Sequence, residues 1–379
     1  MTATSVAPAP GRPWLFSARV DVGVFLGSAL ASLLALAIGA RAGLLDQGTP
    51  DWAWVPFVLL VDVAHVWATG FRVYLDPVER RRRPLLYLLT PLAGLGVGIA
   101  LYAAGELWFW RALAYLAVLH FVRQQAGWVA LYRARAGERD RLGRWLDAAA
   151  IYAATLYPLL YWHTHLPRRF WWFLRGDFAA LPAAAARVAA PLYWAALAAY
   201  AVRALARWAR GRPHPGKDIV VATTAVCWYV GIVACNGDYA FTVTNVLIHG
   251  IPYFALVYWY ARTRQLPLVA RAGPGAFLGV LWALAYVEEL LWDRGVWHER
   301  AWLFGHGWDV GTLKLVLVPL LAVQGCRDDI QGRAEERPHG EHNEHVFPLS
   351  QRHRVHKYLL SIKTMDQSER LKAVVLWPH

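Results

Sequence analysis

Hydrophobic and polar positions fall along this chain in blocks. Apolar runs of roughly 20 residues, the length that crosses a bilayer, are separated by short polar or basic turns. The runs cover about Val20–Ala42, Trp52–Leu75, Leu85–Ala104, Leu107–Tyr132, Trp145–Trp162, Val188–Trp208, Ile219–Cys235, Tyr239–Ala261 and Gly275–Trp292. A tenth, shorter candidate lies between Val310 and Val323. The pattern predicts an all-α, polytopic transmembrane helical bundle of roughly ten spans.

The turns set its orientation. Basic stretches follow the second, fourth, sixth and eighth runs: Arg80 to Arg83, Arg133 to Arg141, Arg203 to Lys217, and Arg262 with Arg264. Cytoplasmic loops collect Lys and Arg, so this alternation predicts both termini in the cytoplasm of a multi-pass inner (plasma) membrane protein. Arg168, Arg169 and Arg175 are exceptions on the outer side, in an aromatic stretch (Phe170 to Phe173) that reads as interfacial. Gly94, Gly96 and Gly98 point to close helix packing in the third run. Residues 1–19 read as a cytoplasmic N-terminal segment and 20–325 as the transmembrane domain. Residues 326–379 read as a mobile polar tail holding His339, His342, His345, His353 and His356, with one helix between Val355 and Val375.

Composition agrees with the pattern. Hydrophobic residues make up 57% and charged residues 17%, against about 25% charged in a soluble domain. Mean hydropathy is +0.29. The 21 Trp and 17 Tyr fit interfacial belts and interhelical packing. The net charge of +13 resides mainly in the loops, so the expected partner is the bilayer and not nucleic acid. Cys227, Cys235 and Cys326 form no C-x-x-C pair, which argues against a disulfide framework or a zinc ribbon. Met1 to Arg12 is Pro/Ala-rich and the first apolar run exceeds signal-peptide length, so no cleavable leader is expected.

The chemistry lies in the polar residues that interrupt the runs. On an ideal helix Asp62, His65, Thr69, Arg72 and Asp76 share an arc of roughly 80°. His120 shares a face with Arg123, Gln124 and Gly127, and His249 with Asp238, Thr242 and Asn245. Pro252 follows one turn after His249 and can free a backbone carbonyl. Counting 1.5 Å per residue puts His65, His120 and His249 each roughly 15–20 Å from the outer ends of their spans. Equal depth on separate helices is what a shared site requires. Ionisable groups at such depth mark functional sites by default, and imidazole is the commonest metal ligand. His65, His120 and His249 are therefore the candidate metal ligands. Asp62, Thr69, Arg72, Arg123, Gln124, Asn245 and Glu289 are candidates for orienting them or relaying protons. The metal would be iron or another transition metal, with a haem held by histidines of two helices as second choice. His163 and His165 are outer-face candidates. The plain alternative is that each histidine is satisfied by a helical neighbour.

There is no H-E-x-x-H or P-loop, and the membrane spans hold no H-x-x-x-H or H-x-x-H-H cluster of the membrane-desaturase kind. The motifs D-x-x-H-x-x-x-T-x-x-R-x-Y-x-D (Asp62 to Asp76), H-F-x-R-Q-Q-x-G-W (His120 to Trp128) and N-x-x-x-H-G-I-P-Y (Asn245 to Tyr253) resemble those of uncharacterised, histidine-containing multi-pass bacterial membrane proteins. That resemblance covers roughly Val20 to Val323 and carries no established activity. It implies a last span bearing P-Q-x-x-H-Y-x-x-D, whereas this chain reads Pro319-Leu-Leu-Ala-Val-Gln324-Gly-Cys-Arg-Asp. One polar helix face is then missing. Three functions compete: a metal-dependent membrane oxidoreductase acting on a lipid or isoprenoid, a proton-coupled transporter or carrier, and a non-catalytic membrane scaffold.

Overall fold

A computed structural model describes residues 13–323. Met1 to Arg12, the Gln324-Gly-Cys-Arg-Asp departure and the tail with its five histidines lie outside the described residues. Those described form helices and no strands. Seven helices are long and apolar enough to cross a membrane: α1 (Ala18–Arg41), α2 (Asp51–Val73), α3 (Pro84–Ala104), α6 (Ala183–Ala209), α7 (Pro215–Ala234), α8 (Asp238–Thr263) and α9 (Pro267–Trp297). The expected fourth and fifth spans are the helices α4 (Glu106–Ala136) and α5 (Arg141–Thr164). Both have the length, but neither holds a continuous stretch as apolar as those of the seven. The expected tenth is the short helix α10 (Gly311–Val323). The ten apolar runs are thus helical, and seven stand as membrane-crossing candidates.

Burial sorts them. α8 is the hub: 72% of its apolar stretch is buried, against 11% for α6 and 17% for α3. It packs against α1, α2, α4, α7 and α9. Spans two, four and eight are therefore neighbours, which sequence alone did not show. Gly250 permits the closest approach, because a Cβ there would lie 2.6 Å from Val61 Cγ1 and 3.6 Å from His65 Cβ. Gly231 does the same for α7, with Thr244 and Asn245 filling the space its side chain would take.

The two ends of the bundle differ. At the end with the basic loops, Asp76 caps Pro77–Arg82 and accepts hydrogen bonds from Tyr260 Oη and Arg264 Nε, each at 2.7 Å. Nearby, Lys217 is fully buried and donates from Nζ to Glu138 Oε2 (2.7 Å) and Asp147 Oδ2 (2.8 Å). Arg133 joins both carboxylates, Arg203 adds a bond to Asp147, and Arg207 one to Glu138. This ion network ties α4, α5, α6 and α7 together. At the other end the aromatic stretch after α5 folds inward. Asp177 accepts from the Trp172 and Phe173 amides (2.8 and 2.7 Å), and Arg168 donates to Asn236 Oδ1 (3.0 Å). So held, Phe170 stacks on Phe241, and Trp172 meets Phe121 edge-on. The stretch read as interfacial is the wall of a cavity.

Candidate metal centre

α2 and α8 both depart from α-geometry just before their histidines. Trp54–Val63 and Thr242–Val246 form wide π-type turns, with ordinary helix resuming at Ala64 and Leu247. Such turns recur at functional sites because they re-aim the side chains that follow. Here they precede His65 by two residues and His249 by three.

The three histidines meet. One ligand atom from each of His65, His120 and His249 lies within 4.8 Å of the others, so this group could hold a metal ion. His65 Nε2 and His249 Nε2 share a hydrogen bond of 2.9 Å. Metal–nitrogen bonds of about 2.0–2.1 Å place adjacent ligands about 2.9–3.4 Å apart, so this pair already has the spacing of two ligands. His65 and His249 are buried and His120 is half-buried.

The surroundings fix the rings. Phe121, the residue after His120, stacks flat on His249 with centroids 3.8 Å apart and planes 5° apart. Gln124, one turn on, donates its amide to the His249 carbonyl at 2.7 Å. That carbonyl is next to the one on Ile248 that Pro252, lacking an N–H, leaves without a helical donor. Asp62 Oδ1 lies 3.7 Å from His65 Nδ1, the place of a carboxylate that orients a metal-binding imidazole. Below, Thr69 Oγ1 and Tyr253 Oη hydrogen bond at 2.7 Å, and the Tyr253 ring sets its edge against His65. Several buried polar atoms have no hydrogen bond: His65 Nδ1, His249 Nδ1, Asn245 Oδ1 and Gln124 Oε1.

His65, His120 and Asp62 line a cavity of about 590 Å³, with Glu288 and Glu289 from α9 on its wall. Trp67 Nε1 donates to Glu288 at 2.8 Å, which locks α9 to α2. The rest of the lining is largely aromatic, including Trp54, Trp110, Phe121, Trp172, Trp292 and Trp297.

Other predicted residues face elsewhere. Arg123 donates to Tyr152 Oη on α5 at 2.7 Å, and Arg72 lies over the Tyr260 ring on α8. Asn245 donates to the Phe241 carbonyl and to Thr244 Oγ1. His163 bonds the Leu159 carbonyl through Nδ1 and Tyr115 Oη through Nε2, while His165 stacks on Tyr161. Neither outer histidine lines the cavity. Sequence reasoning missed Phe121, Tyr253 and Gly250 as parts of the centre, although the H-F and H-G-I-P-Y motifs contain all three.

No protein-family model, curated protein or solved structure matches this chain. The reading of the centre therefore rests on its geometry.

Proposed function

We propose that His65, His120 and His249 bind a transition-metal ion, iron first among the candidates, and that the chain is a metal-dependent membrane oxidoreductase acting on an apolar, lipid- or isoprenoid-like molecule. One observation carries this reading: three imidazoles from three helices converge within 4.8 Å beside a cavity of about 590 Å³. Imidazole suits iron, copper, nickel and zinc, and three protein ligands leave positions open for a reactant. The aromatic walls favour an apolar guest. In this reading the bound metal supplies the redox chemistry. Asp62 fixes the His65 ring, Phe121 fixes the His249 ring, and Trp172 with its loop walls the cavity beside the centre.

Elemental analysis of purified protein beside a His65→Ala/His249→Ala double variant tests the proposal, together with a visible absorption spectrum. Near-stoichiometric metal in the wild type, lost in the double variant, is the expected result. Equal and negligible metal in both would sink it. The His65–His249 and Gln124–His249 hydrogen bonds favour a second reading, a scaffold in which the histidines hold helices together. It predicts a lower melting temperature in the double variant with no ligand to lose.

A further inference from the structure

The cavity runs from the histidines to a mouth with an unusual charge. Its lining brings together Gly48, Arg169 and Arg300, from the segments after α1, α5 and α9, and Asp238, the first residue of α8. The mouth therefore lies at the end opposite the basic loops that follow α2, α4, α6 and α8. The chain as a whole carries +13, yet the lining holds five carboxylates (Asp62, Asp238, Glu288, Glu289 and Glu299) against two guanidiniums.

Arg300 is paired with Glu299, which leaves Asp62, Asp238, Glu288 and Glu289 against the single charge of Arg169. Arg300 lies 3.9 Å from the Trp54 ring centroid, donates to Glu299 at 3.1 Å and lies 3.8 Å from Asp51. Its place is fixed locally, since Asp293 Oδ1 accepts the Glu299 and Arg300 amides at 2.9 Å each. Arg169 donates to the Asp46 carbonyl. Among the described residues, neither the Asp62 nor the Glu289 carboxylate accepts a hydrogen bond within the chain. At the inner end of this acidic passage sits His65, only 2% exposed, its Nδ1 without a hydrogen bond. A cleft with a surplus of one sign of charge and low-dielectric walls concentrates counter-ions.

We infer that the cavity mouth is a cation-selective entrance through which a divalent transition-metal cation reaches the histidine centre, from the side of the membrane opposite the basic loops. The metal part of this inference rests on the proposed centre. The charge selectivity and the side do not, and they are measured independently.

The reporter is Ala117→Cys, on the cavity wall one turn before His120, in a Cys227→Ser/Cys235→Ser/Cys326→Ser background. Leu113→Cys, a further turn toward the mouth, serves as a second reporter should the first misfold. Right-side-out and inverted vesicles are treated with a membrane-impermeant trimethylammonium methanethiosulfonate or its sulfonate counterpart. Each rate is divided by that reagent's rate with a free thiol. The cationic reagent should react about tenfold faster than the anionic one, in right-side-out vesicles only. The ratio should fall toward one in Glu288→Gln/Glu289→Gln, and Co²⁺ should slow labelling. Equal normalised rates, faster labelling in inverted vesicles, or no labelling of a thiol that reacts after denaturation overturns the inference. Cation selectivity without Co²⁺ protection, in protein that holds no metal, supports the entrance and removes the centre.

Discussion

Two polar regions lie inside this apolar bundle, and they are finished differently. In the ion network the charges answer one another: Lys217 Nζ reaches Glu138 and Asp147, both Asp147 oxygens are bound by Lys217, Arg133 and Arg203, and Arg207 reaches Glu138 through Nη1 although its Nε and Nη2 carry no hydrogen bond. Around the histidines, three buried polar atoms (His65 Nδ1, His249 Nδ1 and Gln124 Oε1) lack a hydrogen bond. Each such atom costs about 1–3 kcal/mol. A network whose opposite charges are paired explains itself as structure. A cluster left incomplete, beside a cavity, is arranged for something that arrives from outside the chain.

The contrast predicts opposite failures. Lys217→Ala leaves Glu138 and Asp147 partly unanswered at depth and should cost about 3–5 kcal/mol of stability, read as a large drop in detergent melting temperature, with metal content per folded molecule unchanged. An equal loss of metal would erase the distinction between the regions. Asp62→Asn should do the reverse: affinity for the metal falls about 10- to 100-fold by equilibrium dialysis while the melting temperature of the metal-free protein barely moves. Gly250→Ala forces α2 and α8 apart at the histidines. Overpacking of this kind costs about 1–3 kcal/mol, and it should weaken metal binding as well, unlike a methyl added at the open Gly127.

The smallest effect concerns acid. Burial pushes the Glu138 carboxyl up, but the Lys217 hydrogen bond and the nearby charges of Lys217, His214 and Arg207 outweigh it, so the group titrates below its ordinary 4.5. Asp76 is likewise held low: burial raises it, and the Arg264 and Tyr260 hydrogen bonds overcome that. A depressed carboxyl stabilises the fold above its unfolded value and loses that contribution as pH falls through the folded one. Melting temperature should therefore hold down to about pH 4.5 and decline below it. Glu138→Gln should start lower and decline less, and a parallel decline in both would show that Glu138 is not the group responsible.

Much of this was legible in the sequence. Hydrocarbon admits only helices and closed barrels, and apolar runs of about 20 residues have the length of a spanning helix, so the runs gave the helices and the basic turns gave their alternation. The histidine trio was legible because equal depth is a linear property of the chain. What lies around it was not. The wide turns of Trp54–Val63 and Thr242–Val246 break the 3.6-residue period that the face assignments of Asp62, Asp238, Thr242 and Asn245 rest on. Arg72 and Arg123 keep that period with their histidines, but engage Tyr260 and Tyr152 on neighbouring helices, which only packing reveals. The ion network was hidden for another reason. Arg133, Glu138, Arg203 and Lys217 sit in or beside loops, where charge reads as a topology signal, and only the packing of four helices brings them together, with Arg133 and Lys217 buried.

The enclosure of α8 has a consequence for how the protein is made. Its sequence carries Asp238, Thr242, Asn245 and His249, and most of its surface touches protein rather than lipid. A ribosome delivering such a segment to a bare bilayer offers those groups no partners. By then, however, α1, α2, α4 and α7 have already emerged, and only α9 among its close neighbours is still to come. The order of synthesis thus matches the order of need. The last helix to complete the histidine cluster is delivered into a socket whose walls are already standing.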